Sequence, residues 1–364
     1  MADSTAPALK EMFNAARYRE IAQAVGAVWP RFDSKKFLAL TLPGLDALSL
    51  LQRMRRTTEA LHATLPENYP AALAILRPLA PTFQGSFVGI VFPDYVARYG
   101  LDDFETSMAA LKYFTPFSSS EFAVREFLRQ DQARTLAVMT HWSCDPDEHV
   151  RRLASEGCRP RLPWSFRLTA LVVDPSPVIP ILENLKADPS LYVRKSVANH
   201  LNDISKDHPE WLLDWLTRWD LSQPATAWIA KRAVRSLIKH GHPRAFKLFR
   251  FTARPAVQLR AFQLSPARVK IGGHIAFEFS LQSLAPRPQR LAVDFIVHYT
   301  KKNGKTSPKV FKLKEITLAA HTTVVLSKGL QLRDLSTRQH YPGRHRVDIM
   351  VNGAKVASGE FILA

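Results

Sequence analysis

Cysteine is scarce in this sequence, since Cys144 and Cys158 are the only two among 364 residues. Two cysteines without an evident pairing fit a reducing cytosol, and they exclude a zinc site made of cysteines alone. Long apolar runs are also missing, so no membrane span is expected. The first twenty residues mix acidic and basic side chains without an apolar centre, which argues against a secretory signal. We therefore predict a cytoplasmic protein with no membrane partner.

Acidic residues are in the minority, with 32 Asp and Glu against 50 Lys and Arg and a net charge of +18. The excess is uneven, because residues 254–364 hold 18 basic and only 6 acidic side chains and so carry two thirds of it. A field of this sign attracts polyanions such as DNA. A basic but otherwise ordinary soluble surface is the alternative, and the uneven distribution argues against it.

The hydrophobic pattern changes near residue 253. Before it, apolar residues recur at helical spacing, whereas after it they alternate with a period of two, as in residues 274–281, 291–299 and 346–351. The dipeptide Asn352-Gly353 is a strong hairpin signal between two such runs. Seven or eight short strands are typical of an immunoglobulin-like β-sandwich. We predict a helical domain at 1–253 and a β-sandwich domain at 254–364.

The helical part contains an internal repeat. The segment DPDEHVRR at 145–152 returns 43 residues later as DPSLYVRK at 188–195, and a degenerate third copy follows at 228–240. Both clear copies predict a helix with an N-cap aspartate, Asp145 or Asp188, and proline at the first helical position. A period of 43 residues is typical of HEAT-like repeats, which stack into an all-α solenoid.

On these two predicted helices the polar and apolar side chains separate onto opposite faces. Glu156 on the first and Asp203 on the second lie away from the apolar stripes formed by Val150, Leu153, Ala154, Val193, Val197, Leu201 and Ile204. If the helices run roughly parallel, the two carboxylates share one polar surface with arginines and lysines. Such a surface suits a phosphate backbone with carboxylates held close to it.

The same stretches carry a family resemblance. The segments EHVRRLASEG at 148–157, RPRLPW at 159–164 and VRKSVANHLNDISKDHP at 193–209 resemble the AlkC branch of the HEAT-like alkylpurine DNA glycosylases, whose scaffold the AlkD branch shares. The β-rich tail resembles the immunoglobulin-like domain that some AlkC proteins append. The resemblance implies a monofunctional glycosylase, without metal or cofactor, that releases cationic bases such as 3-methyladenine from duplex DNA, with 3-methylcytosine as a further candidate. It also implies that the lesion is not rotated into a pocket.

Four residues are candidates for catalysis, and each has a simpler alternative. Glu156 could only pair with Arg152 one turn earlier, and Asp203 could only pair with Lys206. Glu121 has capping-box spacing from Ser118, and Trp164 could be a core residue that opens the next helix. The chemistry favours function, because a carboxylate stabilises the oxocarbenium-like sugar, a second one orients the attacking water, and an aromatic face attracts a cationic base.

Further basic residues are candidates for phosphate contact, with an ordinary solvated surface as the alternative. They are Arg152, Arg159, Arg161, Lys195, Lys206, and Lys301 and Lys302 in an apparent lysine-rich loop of the β-domain that extends to Lys314. His149 and His200 lack the spacing of a zinc site. A noncatalytic DNA-binding or protein-interaction scaffold is the rival function, but it gives no reason for carboxylates on a basic face. We expect a monomer that binds double-stranded DNA containing alkylated bases.

Overall fold

A computed structural model describes residues 9–334 and 338–364. Helices occupy the chain as far as residue 248, with short 3-10 turns between several of them. They are α1 (Ala15–Val28), α2 (Ser34–Thr41), α3 (Leu50–His62), α4 (Tyr69–Leu76), α5 (Val91–Tyr99), α6 (Phe104–Phe114), α7 (Val124–Gln130), α8 (Gln132–Trp142), α9 (Glu148–Gly157), α10 (Thr169–Val173), α11 (Ile179–Leu185), α12 (Leu191–Ile204), α13 (Pro209–Leu216), α14 (Pro224–Ala233), α15 (Arg235–Lys239) and α16 (Pro243–Leu248).

Strands follow the helices. They are β1 (Val257–Ser265), β2 (Arg268–Val269), β3 (His274–Ser283), β4 (Gln289–Thr300), β5 (Thr306–Leu318), β6 (Thr323–Gln331), β7 (Gly343–Val351) and β8 (Ala354–Leu363). Three form a sheet of order β1-β3-β6, and five form a sheet of order β2-β8-β7-β4-β5. Alternate residues of β3 and β4, such as Phe277 and Phe295, meet in the buried core between the sheets. The predicted succession of a helical region and a β-sandwich is confirmed.

The predicted hairpin at Asn352-Gly353 is present between β7 and β8. Val351 pairs with Ala354, so the turn has two residues, and both adopt positive φ angles of 45° and 79°. Such angles match the right-handed twist of the flanking strands, which explains why asparagine followed by glycine is a reliable local signal.

The chain divides by its contacts into two compact units. The first comprises residues 1–207 and 220–229, and the second comprises 208–219 and 230–364. The second unit therefore includes α13, α15 and α16 as well as the strands. Within it, the side-chain amide of Asn352 donates to the Thr252 carbonyl at 2.7 Å. The boundary at residue 253 coincides with the change from helices to strands but not with this division by contacts, and it stays a prediction.

The 43-residue repeat is visible in the structure, although its helices begin later than predicted. The N-caps are Asp147 and Ser190, not Asp145 and Asp188. The two predicted caps instead accept the backbone N–H two residues on, at 2.9 and 2.8 Å. An aspartate followed by proline thus forms an Asx turn that leads into the cap, because this turn also satisfies the local backbone.

The faces of α9 and α12 confirm the predicted apolar stripes, whose members are all buried. The predicted polar surface, however, is not a surface at Glu156 and Asp203, since these side chains are buried among polar partners. The degenerate third copy also differs, because 228–240 is not one helix. It breaks at Val234 into α14 and α15, which fall largely in different compact units.

Candidate active site

Glu156 lies in the last turn of α9 and is 6% exposed. One carboxylate oxygen, Oε2, accepts a 2.6 Å hydrogen bond from the Ser196 hydroxyl of α12. The other, Oε1, accepts one of 2.6 Å from Nη1 of Arg159, while Nη2 of Arg152 is farther away at 3.6 Å. The simple pair with Arg152 is therefore the weaker contact. A buried carboxylate needs such partners to remain charged.

Asp203 lies one turn beyond Asn199 on α12 and is 2% exposed. Its Oδ2 accepts from Nε of Arg159 at 2.9 Å, and its Oδ1 accepts from Nζ of Lys206 at 2.9 Å. The predicted pair with Lys206 exists, but Asp203 also shares Arg159 with Glu156. One guanidinium thus joins the two carboxylates, and this cluster is what we call the carboxylate bridge.

Arg159 is itself buried, at 7% exposed. Burial by itself lowers the pKa of the Arg159 guanidinium, but Glu156 and Asp203 together raise that pKa above its ordinary value. The geometry of the bridge is fixed by the planar fork of the arginine, whose Nη1 binds Glu156 and whose Nε binds Asp203. Lys206 also pairs with Asp203, so the positive charges at the bridge lie mainly on the Asp203 side, while Glu156 lines the cavity.

Glu121 does not form the capping box that its spacing from Ser118 suggested. Helix α7 begins at Val124 and has Ala123 as its N-cap. The Glu121 carboxylate instead accepts from the Ser119 hydroxyl at 2.8 Å and from the guanidinium of Arg152. The Glu121 side chain therefore binds Arg152 of α9 and does not cap α7.

Arg152 connects Glu121 to the bridge. Its guanidinium also lies over the ring of Tyr192, with 5.2 Å between the central carbon and the ring centroid. Burial alone lowers the pKa of Arg152, but Glu121 and Glu156 raise it above its ordinary value. Glu156 is thus flanked by the buried Arg159 and the partly buried Arg152, each of which also binds another carboxylate.

Trp164 is neither a core residue nor the start of a helix. It is 60% exposed, and α10 begins only at residue 169. Its φ of 64° is in the left-handed region that few side chains other than glycine adopt. The indole packs edge-on against Phe87, with 6.5 Å between centroids. The loop therefore presents the ring to solvent in a strained backbone conformation.

These side chains line one cavity of about 660 Å³ in the first unit. Its walls include Glu121, Glu156, Arg152, Arg159, Trp164, Phe87, His149 and Tyr192. Asp203 does not line the cavity and lies behind Arg159. Sequence reasoning missed Phe87 and Tyr192. The sequence did contain a signal for Tyr192, because the 43-residue repeat makes its position equivalent to that of His149, at the start of the polar face.

The other predicted DNA contacts are outside this cavity. Arg161 forms two hydrogen bonds with Asp207, at 2.6 and 2.8 Å, and Lys195 is exposed on α12. In the second unit, Lys301 and Lys302 are exposed in the turn between β4 and β5. The lysines that follow, Lys309, Lys312 and Lys314, lie on β5 and not in a loop as expected. Their structure neither supports nor opposes phosphate binding.

Within residues 9–334 and 338–364, no three histidine, cysteine or acidic side chains are grouped closely enough to hold a metal ion. His200 is fully buried, its Nδ1 lies 2.9 Å from the Ser155 carbonyl, and burial lowers its pKa to about 3. It is a neutral core residue. None of the helices in the same ranges is long and apolar enough to cross a membrane.

Comparison with known proteins places this site in a family. The family described as "DNA alkylation repair enzyme" matches residues 110–237, and "Uncharacterised protein YhaZ, C-terminal Ig-like domain" matches residues 258–364. The uncharacterized protein YhaZ of Bacillus subtilis (strain 168) is 44% identical over 354 residues, which cover 97% of this chain and 98% of that protein. The alkylpurine DNA glycosylase AlkC of Pseudomonas fluorescens, solved with DNA containing an abasic site analog, is 53% identical with a TM-score of 0.95, covering 98% of this chain and all of that one. This chain belongs to the AlkC family.

Membership in the AlkC family confirms the predicted enzyme class, a DNA glycosylase, and the predicted immunoglobulin-like domain. It also weighs against the rival prediction of a noncatalytic scaffold.

Proposed function

We propose that this protein hydrolyses the N-glycosidic bond of cationic alkylated bases in duplex DNA. The substrates would be 3-methyladenine and, as a further candidate, 3-methylcytosine, in base excision repair in the cytosol or nucleoid. The observation that carries the proposal is the carboxylate bridge, in which two buried acids share one arginine at the wall of a cavity that also holds an exposed tryptophan. AlkC of Pseudomonas fluorescens, bound to DNA containing an abasic site analog, supports the assignment of DNA as the partner.

The first step is loss of the base, which leaves positive charge on the sugar. An alkylated base of this kind is already cationic and departs as a neutral molecule, so no strong general acid is required. Glu156 lines the cavity, and its oxygens retain lone pairs beyond those used by Ser196 and Arg159. In a site that excludes bulk water, its charge would stabilise the oxocarbenium-like transition state.

Water must then add to the sugar. Glu121 also lines the cavity, on the far side of Arg152 from Glu156, and it would orient or deprotonate the attacking water. Asp203 does not reach the cavity directly. We therefore assign Asp203 the role of holding Arg159, which in turn keeps the Glu156 carboxylate in place.

The cationic base needs its own recognition element. Trp164 exposes an aromatic face at the cavity, and such a face attracts a cation more strongly than the neutral parent base. The basic side chains Arg161, Lys195, Lys206, Lys301 and Lys302 would contact phosphates. They would supply affinity that falls steeply with salt and depends little on sequence.

A base-release assay tests the proposal. Duplex DNA carrying N-methylated bases is incubated with excess enzyme, and free methylated base is measured over time by chromatography. We expect release by the wild type, release about 10²-fold slower by Glu156→Gln, and wild-type rates for Glu105→Gln. Glu105 is a matched control, since it is 79% exposed, lies on α6 and pairs with Arg134. Tight DNA binding by the wild type without any base release would instead support the scaffold function.

A further inference from the structure

A second buried arginine near the site lacks an acidic partner. Arg125 lies on α7 and is 0% exposed, and within the described residues it forms no ion pair. Its guanidinium binds backbone carbonyls instead: Nη1 donates to Gly157 at 2.9 Å and to Arg159 at 2.7 Å, and Nη2 donates to Phe166. The group also lies 5.2 Å from the centroid of the Phe166 ring. Burial lowers the pKa of Arg125 to about 10, so it is still charged at neutral pH.

The three carbonyls bracket one segment. Gly157 and Arg159 stand at the start of the loop between α9 and α10, and Phe166 stands near its end. The segment from Gly157 to Phe166 includes Arg159, the centre of the carboxylate bridge, and Trp164 at the cavity wall. Arg125 thus binds both ends of the loop that supplies two of the proposed functional side chains.

The backbone of the loop makes few hydrogen bonds of its own, although the side chains of Arg159 and Arg161 are anchored by Glu156, Asp203 and Asp207. It contains Pro160 and Pro163, which have no N–H to donate, and its backbone bonds are Arg159 to Glu156 at 3.3 Å, Ser165 to Leu162 at 3.4 Å and Leu168 to Pro160 at 3.2 Å. The left-handed conformation of Trp164 must nevertheless be maintained, and strained residues persist only where their surroundings over-determine them.

The packing of α7 against the loop is also close. A Cβ atom added at Gly157 would lie 2.4 Å from Cγ1 of Val124, the residue next to Arg125. Glycine is therefore required where α9 ends, so that α7 can approach and Arg125 can reach the carbonyls. Two independent features, a close approach and a set of hydrogen bonds, link α7 to this loop.

We propose that Arg125 is a positioning residue for base excision, which acts by holding Arg159 and Trp164 in register with Glu156. The proposal rests on the function proposed above. It differs from a general role in folding, because it assigns the arginine to the placement of two particular side chains.

The chain offers a matched control in Arg53 on α3. Arg53 is 1% exposed and also binds backbone carbonyls, those of Lys10 at 3.0 Å, Phe13 at 2.9 Å and Leu48 at 3.3 Å. It does not line the cavity of the carboxylate bridge. Loss of Arg53 should therefore remove a similar clamp without moving the site.

The experiment compares Arg125→Lys and Arg125→Met with Arg53→Lys and Arg53→Met in the full chain. Base release is measured in single turnover at saturating enzyme, at a temperature below the unfolding transition of every variant. The proteins also carry 5-fluorotryptophan, and Trp164→Phe identifies the ¹⁹F resonance of Trp164. We expect both Arg125 variants to shift or broaden that resonance and Arg125→Met to lose about 10²-fold in rate, the cost of a misplacement near 1 Å. The Arg53 variants should leave both readouts unchanged.

The outcomes separate the two proposals. If the wild type releases no base, the proposed function fails, whereas the ¹⁹F spectra still report whether Arg125 holds the loop. If the wild type is active and the Arg125 variants match their Arg53 counterparts in rate, Arg125 is not a positioning residue, even if the resonance moves. Should Arg125→Met fail to fold, Arg125→Lys decides the matter, because it keeps the charge but cannot span both ends of the loop.

Discussion

In the first unit, Glu156 and Asp203 are at most 6% exposed, and both bind the guanidinium of Arg159. In the second unit, Asp294 on β4 is equally buried at 6%, yet it makes no hydrogen bond or ion pair within the described residues. Burial raises the pKa of Asp294 to about 6, although the charges of Lys239 and Lys312 oppose the shift. Burial therefore does not mark a functional acid. What sets Glu156 and Asp203 apart is that both carboxylates bind one guanidinium, that of Arg159.

The largest expected effect concerns the two acids of the carboxylate bridge, Glu156 and Asp203. Asp203→Asn and Glu156→Gln should each reduce single-turnover base release by about 10²-fold, the usual loss for a key electrostatic group. Because Asp203 acts on Glu156 through Arg159, the double variant should lose far less than the product of the two single losses. Rates are measured beside binding to undamaged duplex, which should change little. Wild-type turnover in both single variants would refute the assignment.

The comparison predicts the opposite result for Asp294. Its pKa is raised in the folded state, so the folded unit binds more protons than the unfolded chain between about pH 4 and pH 6. Stability is consequently highest below that window and is lost as pH rises through about 6. Asp294→Asn should stabilise the second unit by about 3 kcal/mol at pH 8 and by little at pH 4.

Hydrogen exchange measured on β4 peptides reports this difference within the unit concerned. Glu360→Gln is the control, because that acid is exposed on β8 and pairs with Arg344. If Asp294→Asn destabilises β4 at pH 8, the carboxylate is ionised and well solvated or paired, and the contrast between the two units is wrong.

A smaller effect is expected at Trp164. Its substitution tests whether an aromatic face assists the carboxylate bridge in base release. Trp164→Ala should lower base release about tenfold, as expected for loss of a partly desolvated cation–π contact. Trp164→Phe should retain most of the rate. Binding to undamaged duplex, measured by fluorescence anisotropy, should be unchanged in both, since no base cation is present. Equal losses on damaged and undamaged DNA would make Trp164 a general DNA contact.

The sequence indicated the elements of the site more readily than its arrangement. Helical periodicity placed Glu156 and Asp203 on polar faces, and a local turn signal located Asn352-Gly353. The burial of the two acids was missed because it depends on Arg159, which lies in a loop and returns to both helices. A single sequence carries no pattern for such long-range pairing.

The two repeat copies show why. Helix α9 ends at Gly157, and the Arg159-Pro160 pair that follows disfavours helix. Helix α12 continues to Ile204 and so reaches Asp203. The loop after the shorter copy supplies Arg159, and the extra turn of the longer copy supplies Asp203. The repeat predicted two equivalent helices, whereas the site depends on the difference between them.

The smallest effect should come from the exposed charges of the second unit. Lys301 and Lys302 are exposed in a turn and have no acidic partner among the described residues, which makes them available to phosphates. If each contacts one phosphate, Lys301→Gln with Lys302→Gln should lower the slope of log affinity against log salt by about two, since each contact contributes roughly 0.9. Affinity for duplex at physiological salt should fall only a few-fold.

The control is Lys270→Gln with Lys355→Gln, which removes the same net charge from other exposed positions of the unit. An equal change in slope for both pairs would mean that the domain acts through its overall field and not through contacts at this turn. Single-turnover release at saturating enzyme should be unaffected in either case, because these lysines would affect capture of the DNA and not the chemistry at the carboxylate bridge.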